Sequence, residues 1–397
     1  MKTRNLSRKT LGLATMGAVS LASVMRADEA PQPNKVLTGL AQTTLAGYVD
    51  TSAQWNIGTG NANAPAYIFG GPAKADGFNL NVVKLVLEHD ADPADGWGTG
   101  YKIDLLFGPD AVTYGTQSTG VGSDFAIKQA YLDLKAPAGN GLEFKMGVWD
   151  TILGYEVFET PLNPNFTRSY GYTIEPATFT GILAIYNFTE LISAGAGVAN
   201  TESSVINSRA FYARAESYKT YMGYLSWAAP STWSWASGST LYGAIVNGYD
   251  PVAAATGFTP ADQTCFYVGS TINTPCKQLK VGVAYDYEAV AEQPISRSGY
   301  AHALGGYLNY QVNDVCSING RAEYFSQSPA NVTPGLPSKV VALTATFEYD
   351  LWVNVLSRVE FRWDHAADGS TPYGGTEPGE GGLRNSEILM LNLIYKF

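Results

Sequence analysis

The chain has 397 residues, of which 45% are hydrophobic, 12% aromatic and only 15% charged, with 42 Gly, 25 Tyr and a net charge of −10. That acidity argues against a nucleic-acid partner, and three cysteines are too few and too scattered for a disulfide scaffold or a metal cluster. Beyond the N-terminal segment no apolar run approaches the roughly 18 residues of a spanning helix, so a Tyr-rich, Gly-rich chain of this kind fits a β-barrel better than a helical membrane protein.

Taken from the N-terminus, Lys2, Arg4, Arg8 and Lys9 precede an apolar stretch over residues 11–25. A basic start and a short apolar core predict a secretory signal peptide, residues 1–27, and not a membrane anchor. Ser20-Leu21-Ala22 fits the small-x-small rule better than Met25-Arg26-Ala27, which places cleavage within 22–30. Its removal takes away five basic residues and no acidic one, moving the charge from −10 to −15. Residues 28–43 then form an N-terminal periplasmic segment, and 44–397 a single barrel domain.

Period-two alternation recurs along the rest of the chain. It predicts strands at 44–57, 78–90, 98–109, 124–136, 140–150, 178–187, 190–200, 219–229, 238–249, 265–273, 277–290, 299–312, 315–327, 338–350, 353–365 and 386–397. Sixteen is the expected count. Fourteen is the alternative, because residues 230–237 make an awkwardly long turn for the periplasmic side. The other links alternate long and short, as outer loops and periplasmic turns do. Trp55, Trp97, Trp149, Trp227, Trp352 and Trp363 fall near strand ends, where interfacial girdles lie. Cys265 and Cys276 could form one disulfide in an oxidising compartment, although the strand reading pulls them apart.

Two strands carry the membrane argument. In 355–364, Val355, Ser357, Val359, Phe361 and Trp363 face one way, and Leu356, Arg358, Glu360, Arg362 and Asp364 the other. A charged face opposite an apolar one fits lipid on one side and water on the other. In the last strand Leu389, Leu391, Leu393, Tyr395 and Phe397 make one apolar stripe, since alternate side chains share a face. Its final aromatics, Tyr395 and Phe397, resemble the closing-strand signal read by the outer-membrane assembly machinery.

The link at 151–177 stands apart. Ile152, Leu153, Val157, Phe158, Leu162 and Phe166 are too apolar for a solvated loop, and Pro161, Pro164 and Pro176 fix its bends. It is expected to fold inward against the barrel wall. Here the chain also resembles a family. Gly147-Val148-Trp149-Asp150-Thr151-Ile152-Leu153-Gly154-Tyr155-Glu156-Val157, Asn163-Pro164-Asn165-Phe166-Thr167-Arg168-Ser169-Tyr170, Pro176 and Thr180-Gly181 are similar to the OmpL-like β-barrel porin family. Gly47-Tyr48-Val49-Asp50 and Val246-Asn247-Gly248-Tyr249-Asp250 match its pattern too, while the cysteines and the Ala-rich 250–264 loop depart from it. The resemblance implies an outer-membrane barrel that passes small solutes and whose third outer loop narrows the bore. It brings no particular substrate.

Within that loop Glu156, Glu159, Arg168 and Glu175 are the candidate constriction charges, since opposed charges across a pore select by charge and size. Arg168 with Glu156 could equally be a pair that pins the loop. Arg321, Glu323, Arg358, Glu360 and Arg362 are the expected lumen-wall charges. The acidic balance predicts a weak cation preference. His302 shares the lipid-facing parity of Leu304 and Leu308, and the neighbours Asp364 and His365 diverge to opposite faces, so neither supports catalysis. No cofactor or metal is expected; the partners are outer-membrane lipid, small solutes or ions, the assembly machinery and, as one arrangement, two further copies in a homotrimer. The alternatives to a water-filled diffusion channel are a structural or adhesive barrel with a plugged lumen and, further off, an outer-membrane barrel hydrolase.

Overall fold

The computed structural model describes residues 43–58, 60–91, 96–117, 123–210, 215–249, 262–291, 298–328 and 335–397. The expected signal peptide, residues 28–42 and most of the Ala-rich loop lie outside these. Sixteen antiparallel strands close into one barrel. In chain order they are β1 (Thr44–Ile57), β2 (Gly77–His89), β3 (Gly98–Phe107), β4 (Phe125–Ala136), β5 (Leu142–Asp150), β6 (Thr178–Asn187), β7 (Ile192–Ala199) and β8 (Thr220–Ala228). There follow β9 (Thr240–Tyr249), β10 (Asp262–Asn273), β11 (Leu279–Val290), β12 (Gly299–Asn313), β13 (Cys316–Gln327), β14 (Lys339–Trp352), β15 (Val355–Ala366) and β16 (Asn385–Lys396). Each pairs with its sequence neighbours, and β16 returns to β1 in a register running from Tyr48↔Lys396 to Ile57↔Glu387. The fourteen-strand alternative is thereby excluded.

Closure leaves no edge strand to be capped or charged. Phe397 completes the seam: its N–H donates to the Gly47 carbonyl (3.0 Å) and its carbonyl accepts from the Gly47 N–H (2.9 Å). Its ring lies over Gly47, where any Cβ would stand 2.8 Å from the phenyl Cζ.

The two faces separate as the alternation requires. On β16, Leu389, Leu391, Leu393 and Tyr395 are exposed outward while Ile388, Met390, Asn392 and Ile394 are buried inside. On β15, Val359 and Phe361 point out, and Arg358, Glu360, Arg362 and Asp364 are buried in the lumen. His302 sits outward among Tyr285, Tyr300 and Tyr324, and Asp364 diverges from His365, which meets Asn385 instead (2.8 Å).

Three details bear on particular sequence expectations. Trp149 is 1% exposed and packs inside the barrel in one apolar cluster with Phe179, so it belongs to no girdle. Its parity on β5 matches that of the buried Lys145, which decides the face whatever the residue type. Residues 230–237 fold into a short 3-10 turn (Ser231–Ala236) that exposes Trp233 and Trp235, with Trp233 edge-on to Trp227 at 5.3 Å. Cys265 is buried on β10, Cys276 is exposed in the following turn, and both are free thiols.

The apolar core lies within the barrel. One cluster joins the wall residues Tyr131, Leu183, Tyr224, Tyr242 and Tyr267 to Ile152, Leu153 and Tyr155 of the 151–177 loop. A second sets Tyr170 and Ile174 against Phe325, Val340, Ile388 and Met390. A third joins Phe158 and Tyr114 to Tyr48, Leu106 and Ile394. Two short helices, α1 (Pro109–Tyr114) and α2 (Tyr170–Ile174), belong to this interior packing.

Candidate functional site

The 151–177 loop leaves the wall where β5 and β6 end, at the pair Asp150↔Thr178. Its first turn stays near one side of the lumen: the Tyr242 hydroxyl donates to the Ile152 carbonyl (2.6 Å). Tyr155 stacks on Tyr307 with ring centroids 4.1 Å apart, and its hydroxyl meets Thr271 Oγ1 at 3.0 Å. Gly282 permits that approach, since a Cβ there would stand 2.1 Å from the tyrosine oxygen.

The chain then becomes a strap across the bore. Glu159 lies between Lys84 of β2 and Lys128 of β4, 3.1 Å from the latter and in direct hydrogen-bond contact with the former. Burial alone would raise its carboxyl, but Lys128 and Lys84 hold it far below the usual glutamate range. Asn163 braces the bend by donating to the Val157 carbonyl (2.6 Å) and accepting from the Val157 N–H (2.9 Å).

The wall at β13 and β15 holds the strap through its main chain. Arg358 donates to the carbonyls of Thr160 (3.0 Å) and Asn163 (2.7 Å), and Arg362 to that of Arg168 (2.7 Å). Glu360 accepts from the N–H groups of Phe166 (2.6 Å) and Thr167 (2.9 Å), and Glu323 from that of Tyr170 (2.6 Å). Buried backbone groups of an irregular segment need partners, and charged side chains make the stronger ones. Arg321 donates to the Thr167 carbonyl (2.5 Å), so each of the five wall residues expected from the sequence contacts the loop.

The expected loop charges do not pair with one another. Glu156 accepts from Arg321 (2.7 Å) and from the Ser169 N–H (2.7 Å), not from Arg168. The pairing with Arg168 fails because that guanidinium turns back into its own loop. There it donates to the carbonyls of Phe166 (2.8 Å) and Phe158 and to Thr160 Oγ1 (3.2 Å). Its plane is flanked by Phe69 and Tyr172. Ser169 caps α2 by accepting from the Tyr172 N–H (3.0 Å). Glu175 closes the loop beside Asp286 of β11, where burial first, and then the neighbouring Asp286, push its carboxyl well above its ordinary range.

Sequence reasoning missed the lysine row on β2–β5. Lys84 pairs with Asp104 (2.9 Å), Lys102 with Glu88 (3.1 Å) and Lys128 with Asp150. The alternation that located the β15 charges could have found them, because each is buried on the inward parity of its strand. Also missed was a small cleft of about 20 Å³ between the loop, residues 67–74 and α1, lined by Tyr67, Phe69, Lys74, Asp110, Phe166 and Arg168 among others. Nothing in a linear pattern brings those segments together.

The family description "Putative beta-barrel porin-2, OmpL-like" matches residues 42–397. No curated protein matches the chain in sequence. Among solved structures the chain is similar to an anion-selective porin from Comamonas acidovorans, with 14% identity, 89% of this chain and 99% of that one covered, and a TM-score of 0.60. It is also similar to Salmonella typhi OmpF in complex with daunomycin (12%, 89% and 97%, TM-score 0.59). A third is the trimer form of OmpT, an outer membrane protein of Vibrio cholerae (11%, 89% and 99%, TM-score 0.54). At such identities the likeness is one of fold.

Proposed function

Because the chain belongs to the OmpL-like β-barrel porin family, and so is a porin of the bacterial outer membrane, we propose that it passes small hydrophilic solutes or ions by passive diffusion through a bore narrowed by the 151–177 loop. The observation that carries this reading is the attachment of one strap to two sides of the lumen, Tyr155 against Thr271 of β10 and Tyr307 of β12 on one and Glu159 to Lys84 of β2 and Lys128 of β4 on the other, with residues 160–170 held by Arg321, Arg358, Glu360 and Arg362 along the wall between. In this reading Glu156, Glu159, Arg168 and Glu175 set the constriction, and the wall charges fix its position. The acidic balance of the chain favours cations weakly as they enter. The barrel does no covalent chemistry. Three copies side by side are the assembly we favour, and the trimer form of the Vibrio cholerae neighbour supports it. Tyr395 and Phe397 serve as the assembly signal.

A second reading has an observation of its own. The loop, α1 and residues 67–74 fill much of the lumen, and the cleft described above holds only about 20 Å³. That favours a plugged, structural barrel. Recording from purified protein in planar bilayers separates the two: discrete conductance steps support the porin, and a silent bilayer at high protein load sinks it in favour of the plug.

A further inference from the structure

The link between β8 and β9, residues 229–239, is the longest at the short-turn, periplasmic end of the barrel. It carries Trp233 and Trp235, 54% and 52% exposed, among serines and a threonine. Half-exposed indoles gain from whatever covers them, and the neighbours of Trp233 identify the cover. Its ring meets that of Trp227 edge-on, with centroids 5.3 Å apart. Trp227 is the last outward residue of β8, on the parity of the exposed Tyr221 and Leu225, and it is in register with Ile192 of β7 and Leu241 of β9. Ile192, Trp227 and Leu241 are thus the lowest row of the lipid-facing surface here. Trp233 continues that surface past the strand ends.

Two further properties fit the link to the headgroup layer. From Thr220 to Tyr249 the chain carries no charged residue, whereas the periplasmic links 90–97 and 274–278 carry Asp90, Asp92, Asp95 and Lys277. Charge resists entry into a bilayer. The link also closes on itself: the Ala229 N–H donates to the Ser239 carbonyl (2.7 Å), and the Gly238 N–H to that of Ala229 (2.9 Å). Asn273 of β10 ties it to the wall by donating to the Ser237 carbonyl (2.6 Å). Backbone groups satisfied within the protein need no water. The exposed Ser231, Thr232 and Ser234 add hydroxyls at the level where indole rings settle, between headgroups and acyl chains.

We propose that residues 231–235 form a foot that rests in the phospholipid headgroup layer of the periplasmic leaflet, with Trp233 and Trp235 between the headgroups and the first acyl carbons. The foot sets the height of the β8–β9 side of the barrel in the membrane. It depends on the place of the barrel in the outer membrane and not on an open lumen, so it serves a channel and a plugged barrel alike.

The test reconstitutes purified full-length barrel into phosphatidylcholine vesicles whose acyl chains carry bromine, a quencher of tryptophan emission. The bromine stands either next to the headgroup or near the chain end. Subtracting the emission of the Trp233→Phe/Trp235→Phe variant from that of the wild type leaves the signal of these two rings. That signal is quenched several-fold more by the shallow bromine than by the deep one, and only weakly by iodide present on both sides of the membrane. Because Trp233 touches Trp227, the double variant also alters the emission of Trp227. Trp235→Phe alone is therefore the second subtraction, since Trp235 has no ring contact among the described residues, and it gives the same order of quenching. Quenching by iodide and by neither bromolipid means that the turn stands in water and faces a periplasmic partner. Quenching by none of the three means that a second copy of the chain covers it, and stronger quenching by the deep bromine puts the rings in the hydrocarbon. Each of these results overturns the foot. Conductance enters none of the readings, so a failed foot leaves the porin standing, and a silent bilayer leaves the foot standing.

Discussion

Glu175 and Asp286 set two buried carboxyls beside one another inside the barrel, one from the end of the 151–177 loop and one from β11, and among the described residues no basic side chain is ion-paired with either. Both oxygens of Glu175 and Oδ1 of Asp286 are buried with no hydrogen-bond partner. Two buried carboxyls in contact share a proton in preference to bearing two charges. Glu156 adds repulsion to Glu175 but is itself held by Arg321, and Tyr267 faces the pair without countering its charge.

The first prediction follows from that pair. Glu175 is raised in the folded state, chiefly by burial and then by Asp286. A raised carboxyl contributes stability that is fully present below its unfolded value, about 4.3, and is lost as pH rises through the folded value. The loop is therefore held best in acid and loosens above that window. Open-channel noise and thermal lability should both increase with pH, and Glu175→Gln should flatten the dependence. A wild-type profile that is flat, or that Glu175→Gln leaves unchanged, would falsify the shared proton.

Arg321 grips the loop most completely, with contacts to Glu156, Glu323 and the Thr167 carbonyl. Arg321→Met leaves two buried carboxylates without their partner, a change that costs roughly 3–5 kcal/mol. Denaturant unfolding of the detergent-solubilised barrel measures it. A loss below about 1 kcal/mol, the scale of an exposed pair, would mean that the apolar clusters hold the loop unaided.

Deleting residues 156–170 removes the strap and leaves β5, β6 and all the ladder pairs in place. The barrel should still fold, with higher conductance and a larger size limit for solutes. Unchanged conductance would put the narrowest point elsewhere, with α1 and residues 67–74 next in line.

Removing Phe397 deletes both main-chain hydrogen bonds to Gly47 and the ring that covers it. The amount of assembled, heat-modifiable barrel should fall sharply, and the molecules that do assemble should conduct as the wild type does. Assembly at the wild-type level would show that the β1–β16 ladder closes without this residue.

The strands were legible because a barrel wall obeys a local rule. Lipid outside and a packed polar interior force alternation at each position, and the rule gives face without knowledge of any partner. Hence the inward parity of Arg358, Glu360 and Arg362 goes with burial, and the outward parity of Leu389, Leu391 and Leu393 with exposure. Strand ends suffered where turn residues also alternate, as at β10, which begins at Asp262 and not 265. Partners obey no local rule. Glu156 is 165 positions from Arg321 and only twelve from Arg168, yet it bonds the distant one. Which wall a loop reaches depends on where the chain leaves the barrel and how it bends, and the sequence shows the bends but not the destination. The same reason hid the Arg168 cleft, whose walls come from three separate links and a strand.

The strap is made early in the chain and fastened late. Its anchors Arg321, Glu323, Arg358 and Arg362 lie 153 to 198 positions downstream of the residues they hold. They sit on β13 and β15, and β15 borders the strand that seals the barrel. Until those strands arrive, Phe158, Phe166 and Tyr170 have no lumen in which to hide, and such exposed apolar surface invites aggregation. Contacts of this span are also slow to form. Sealing the wall and trapping the strap are thus one late, cooperative event, and a chain truncated before β13 would have neither.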